Sequence, residues 1–128
     1  GEMPSNVDRQ RYFAAVSGLE QAGMPAEAAL AWEAALREWP GNTTALFGLG
    51  NTQLALNEPG RAERIYRQLI TLDPAFTVAR NNLALALARQ RRFDEAIGEI
   101  GHALSFHNDA ELDDILLDTR AEVLSMIE

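Results

Sequence analysis

Cysteine is absent from the 128-residue chain and so is lysine: all eleven basic residues are arginine. Without cysteine there is no disulfide, no thiolate nucleophile and no thiolate metal site, while either the bacterial cytoplasm or the periplasm tolerates such a chain. The arginine-only basic set, with the abundance of alanine and leucine, reads as the coding bias of a GC-rich bacterial genome, and the compartment stays open. Apolar residues never run far enough to cross a bilayer, so no direct membrane insertion is expected, and no charged-then-apolar leader opens the sequence. Histidine occurs only as His102 and His107, a spacing of five that does not put two ligands on one helix face, so no metal is expected even with Asp109 or Glu111 nearby. The net charge of −8 disfavours nucleic acid and anionic membranes, which require clustered cations, and suits a neutral or basic partner.

With 47% hydrophobic residues, the chain can bury a continuous core. Its five prolines (Pro4, Pro25, Pro40, Pro59 and Pro74) sit at helix boundaries, never inside an apolar helical stripe. Residues 1–6 lack periodicity and are expected to be a disordered or tag-derived leader. Helical spacing then predicts helices over 7–22, from Pro25 through Trp39, over 43–56, 61–72, 74–90 and 93–106, and a last one over 109–127. Sliding the chain against itself by 34 residues superposes Ala28 on Ala62 and Ala96, Trp32 on Tyr66 and Ile100, and Pro40 on Pro74. A fixed period of that length belongs to stacked helical hairpins.

The pattern Leu46-x-x-Leu49-Gly50, then Ala62, Tyr66 and Pro74, resembles the tetratricopeptide repeat, as does Phe93-Asp94-Glu95-Ala96-Ile97. The resemblance implies an all-α fold: a right-handed superhelix of three hairpins (about 9–42, 43–76 and 77–108) closed by an acidic C-terminal capping helix over 109–128. The first unit departs from the pattern, with Ala15-Val16 where a large and a small residue are preferred. Residues 109–128 hold seven acids against one arginine. Their inner stripe is expected to be Leu112, Ile115, Leu116, Thr119, Val123 and Ile127. Leu117, Leu124 and Met126 fall outside it, and are read as partly buried at the flank of the cap, with an oligomer contact as the alternative.

Isolated hints of chemistry have simpler readings. Gly48-Leu49-Gly50 lacks the third glycine and the preceding strand of a nucleotide fingerprint, so it reads as a packing feature. Ser17, Ser105 and Ser125 have no partner base in sequence, so no catalytic residue, cofactor or enzymatic activity is expected. Arg61, Arg64 and Arg67 read as a solvated face, with Glu63 spaced to pair with Arg67. Asn42-Thr43-Thr44 matches a glycosylation acceptor and is given no weight.

In tetratricopeptide proteins, the first helix of each hairpin lines a concave groove that takes a peptide or partner helix. The resemblance therefore implies a protein-interaction module whose groove comprises Phe13, Ser17, Phe47, Asn51, Leu54, Asn81, Asn82, Leu85 and Arg89, with Val78 alongside. One subclass grips a chaperone's C-terminal carboxylate. Here Phe13, Val78 and Asn82 stand where its cations would be, and Ser17 and Gly48 where its asparagines would be, so an acidic chaperone tail is disfavoured. The run AAVSGLEQAG followed by AWEAALREWPGNTTALFGLGN also resembles repeat segments of bacterial cysteine-peptidase-like proteins. That implies an alternative role in self-association, as a homodimer, or in intramolecular docking within a larger enzyme.

Overall fold

A computed structural model describes residues 6–106 and 109–127, so His107 and all of the expected leader but Asn6 lie outside the described residues. Among these the chain forms seven α-helices and no strand. They are α1 (Asn6–Gln21), α2 (Pro25–Glu38), α3 (Thr43–Ala55), α4 (Pro59–Leu72), α5 (Thr77–Arg89), α6 (Phe93–Phe106) and α7 (Ala110–Met126). Each helix packs on the next in sequence, and α7 also rests on α5. The result is an all-α stack of three hairpins closed by a capping helix.

The turn inside each hairpin is one device used three times at the 34-residue spacing. The backbone N–H groups of Met24, Glu58 and Arg92 donate to the carbonyls of Leu19, Gln53 and Leu87 at 2.9, 2.8 and 3.0 Å. This is the six-to-one bond of a Schellman closure, which satisfies carbonyls at a helix end. The preceding residue takes the left-handed conformation that closure needs: Gly23 at φ 74°, Asn57 at 58° and Arg91 at 62°. Glycine adopts it freely, asparagine tolerates it, and arginine is strained by its Cβ.

Two expected boundaries move, each for a local reason. Pro59 and Gly60 belong to the first turn of α4 and not to the loop, because a proline at that position lacks only an N–H with no intrahelical partner. Helix α5 starts at Thr77 and not at Pro74. The Asp73 carboxylate accepts the Ala75 N–H at 3.3 Å and the Asp73 carbonyl accepts the Phe76 N–H at 3.1 Å, a turn that keeps Pro74 outside the helix. The Asn42 side chain caps α3 by accepting the Ala45 N–H at 3.0 Å, which is why asparagine stands there.

The repeated ladders are the core. Ala28, Ala62 and Ala96 are fully buried, as are Tyr66 and Ile100, with Trp32 nearly so. Small residues let the helices approach: a Cβ on Gly48 would lie 2.3 Å from the Trp32 indole, and one on Gly50 would lie 2.5 Å from the Tyr66 ring. Across the second and third hairpins Glu63 accepts hydrogen bonds from Arg92 at 2.6 Å, Arg67 at 2.9 Å and Gln90 at 3.0 Å. Arg80, buried, donates to Glu99 at 2.9 Å and lies over the Phe106 ring.

The cap departs from the expected stripe. Leu116, Thr119 and Val123 are buried, but Ile115 and Ile127 are exposed. Among the described residues helix α7 packs mainly on α5 and α6, so a narrow band of its surface is covered. Leu117 and Leu124, outside the stripe, are 46% and 49% exposed. At about 100° per residue they fall on the flank of α7, roughly a quarter to a third of a turn around from Leu116 and Val123. Met126 does pack against the core.

Candidate functional site: the face of the first helices

The first helix of each hairpin, α1, α3 and α5, carries every residue of the expected groove. Its centre is a chain of polar side chains anchored in the core. The Tyr66 hydroxyl, on the fully buried side chain, donates to Asn51 Oδ1 at 2.6 Å. Asn82 Nδ2 donates to the same oxygen at 2.9 Å, and Asn81 Nδ2 donates to Asn82 Oδ1 at 3.2 Å. Burial pushes the Tyr66 hydroxyl well above its ordinary value of 10, opposed by the Asn82 hydrogen bond and the Arg89 charge. It therefore stays a protonated donor, and the Asn51 amide is held in one orientation. With its oxygen occupied twice, Asn51 offers its two Nδ2 protons, which find no acceptor among the described residues.

The other expected groove residues divide by how far their own packing consumes them. Phe13 lies edge-on to Trp32 and Trp39, with ring centroids 5.2 and 5.6 Å apart, so it is committed to the first hairpin's aromatic cluster. Leu54 and Asn81 are buried, and only their neighbours can present surface. The reason for Asn81 is its position on α5, which carries helices on both sides and α7 in addition. Phe47, half-buried, packs on Phe76 at 5.1 Å. Ser17, Asn51, Val78, Asn82 and Leu85 remain half-buried, and Arg89 is exposed. The Arg89 guanidinium donates to the Leu54 carbonyl at 2.9 Å, placing a cation at the C-terminal end of α3 where the helix dipole favours it.

Sequence reasoning passed over Glu20. Its carboxylate accepts the indole N–H of Trp32, and the residue borders a cavity of about 200 Å3 with Gly23, Pro25, Asn51, Thr52 and Ala55. The 34-residue spacing could have found it, since Glu20 stands at the position of Leu54 and Ala88. Among the described residues no group of acidic and histidine side chains could hold a metal ion, and no helix is long and apolar enough to cross a membrane.

A family model described as tetratricopeptide repeat matches residues 13–75 and again 49–104. The chain belongs to the tetratricopeptide repeat family. Among solved structures, it is similar to the type III secretion chaperone SycD of Yersinia enterocolitica in complex with a peptide of the translocator YopD. There the identity is 16%, all of both chains is covered, and the TM-score is 0.87. PcrH from Pseudomonas aeruginosa is similar at 15% identity, over 98% of this chain and 96% of that one, with a TM-score of 0.86. The second tetratricopeptide domain of human RPAP3, solved with an HSP70 peptide, is similar at 14% identity, over 88% and 92%, with a TM-score of 0.78. Curated protein sequences give no significant match. At these identities the structural likenesses establish a shared tetratricopeptide fold.

Proposed function

We propose that the protein is a non-enzymatic interaction module that binds an extended segment of a partner protein along the concave face of α1, α3 and α5. The observation that carries this reading is the orientation of Asn51 by the buried Tyr66 hydroxyl and by Asn82. A side-chain amide fixed from the core side costs little further entropy when it donates to a peptide carbonyl, whose lost water it replaces. Phe47 and Leu85 supply adjacent apolar surface. SycD and RPAP3, which share the fold, were each solved with a peptide of another protein, and this supports a protein or peptide as the partner class here. The carboxylate-gripping cations of one subclass are missing at Phe13, Val78 and Asn82, so an acidic chaperone tail is not the proposed ligand. The three hairpins, α1 to α6, form the binding unit, and α7 closes it.

Pull-down from bacterial lysate tests the site. The comparison is wild type against Asn51→Ala with Asn82→Ala, and against Ser17→Glu, which leaves the Tyr66 hydrogen bond intact. Circular dichroism melting establishes that each variant folds. Both variants are expected to lose partners that wild type recovers. Equal recovery of every partner by folded variants would remove the groove from this face.

A further inference from the structure

The cavity beside Glu20 lies where the end of α1, the turn into α2 and the last turns of α3 meet, and it shares Asn51 with the polar chain described above. We infer that it is a specificity subsite of the groove that takes one arginine or lysine side chain of the bound segment, with Glu20 as the counter-charge. The inference rests on the groove reading and names the chemistry of the residue that the groove selects.

Size comes first. At about 200 Å3 the cavity falls below the roughly 300–1,000 Å3 of pockets for whole small ligands and suits a single side chain. Its lining is largely apolar and is contributed by Gly23, Pro25, Asn51, Thr52 and Ala55, with Glu20 at its border. One oxygen of the Glu20 carboxylate is held by the indole N–H of Trp32, a nearly buried side chain, so the group is fixed in place. Among the described residues, no arginine forms an ion pair with it.

The chemistry of the occupant follows by elimination. An apolar side chain filling the cavity would strip water from the second Glu20 oxygen and leave it unpaired, which is costly. An acidic side chain would add a like charge at contact distance. A basic side chain lays its aliphatic stem on Pro25 and Ala55 and brings its charged head to the carboxylate, a charge-assisted hydrogen bond in partly dry surroundings. Leu54 and Ala88 occupy the matching positions in the other two units, so the negative group is specific to this joint. The overall charge of −8 draws a basic segment toward the chain.

Three pools of extended peptides, random in sequence except for a central arginine, norleucine or glutamate, test the subsite by fluorescence polarisation. Wild type is expected to bind the arginine pool about tenfold more tightly than the norleucine pool, the scale of one charge-assisted hydrogen bond. Glu20→Gln keeps an acceptor for Trp32 and should erase that preference while still binding. Glu20→Lys should turn it toward glutamate. Pools bound equally by wild type, or a norleucine preference, would overturn the subsite and leave the groove standing. Binding of no pool, or binding indifferent to Ser17→Glu, would overturn the groove reading and this inference with it.

Discussion

The joint between the first and second hairpins and the joint between the second and third occupy the same place in the repeat, yet they solve the packing problem differently. At the first, the Trp32 indole fills the space and the facing position on α3 is Gly48, where a Cβ would sit 2.3 Å from the ring. At the second, the ring is Tyr66 and the position equivalent to Gly48 is Asn82. The smaller ring leaves room for an amide, and its hydroxyl supplies the hydrogen bond that orients Asn51. At the joint with the cap, the pair becomes Ile100 and Leu116, both buried and both apolar. As the residue on the second helix shrinks, the facing residue grows, so interior volume is conserved while chemistry changes. The chain of hydrogen-bonded amides is thus built at the joint that tyrosine fills, where the ring hydroxyl reaches Asn51.

Substitutions at these pairs break the comparison most directly. Tyr66→Ala empties the second joint and is expected to cost about 3–5 kcal/mol, the scale for deleting a buried aromatic side chain, measured by chemical denaturation. Gly48→Asn imposes the second joint's residue on the first, where the indole blocks it, and should cost about 1–3 kcal/mol. Trp32→Tyr in the same chain should recover much of that loss. A double-mutant cycle with no coupling would show that the two positions do not share one volume. Tyr66→Phe isolates the hydroxyl and should cost about 1 kcal/mol, with loss of order at the Asn51 side-chain amide visible by NMR.

Smaller effects sharpen the comparison between turns and between surfaces. Gly23→Ala should cost about 1 kcal/mol through its left-handed backbone, since nothing lies within 4 Å of the added methyl. The smallest effect concerns pH. Burial pushes the Glu63 carboxyl up, but hydrogen bonds from Gln90, Arg67 and Arg92 outweigh it and hold the group below its ordinary value of 4.5. A carboxylate depressed on folding stabilises at pH above its unfolded value, and that contribution fades as pH falls through the lower folded value. Thermal melts from neutral pH downward should therefore show wild type losing more stability below about pH 4.5 than Glu63→Gln does. Equal losses would mean that the network linking the second and third hairpins adds nothing.

The fold was legible because the period carries it. Ala28, Ala62, Ala96, Trp32, Tyr66 and Ile100 announce their burial through a spacing that any partner sequence must respect. The last helix was less legible. Its neighbours cover only one narrow band, so Ile115 and Ile127, apolar and near the stripe, stay exposed. The site was legible only as a face. Helical spacing places Phe13 and Asn81 beside Phe47 and Asn51, but their own neighbours consume them: Trp32 and Trp39 for Phe13, and the helices around α5 for Asn81. Glu20 escaped notice because it is a single charged residue among many acids, and its meaning depends on the cavity that forms only when α1 and α3 meet.

The central claim, that the face of α1, α3 and α5 receives a peptide through amides oriented from the core, has a direct test. Nitrogen-15 NMR of the protein titrated with the arginine-centred peptide pool would follow the Asn51 and Asn82 side-chain amides beside the backbone signals. Saturable shifts are expected at both amides and along α3 and α5, with α6 and the outer side of α7 unchanged. Shifts confined to Leu117 and Leu124 on α7, or to the second helices of the hairpins, would contradict it.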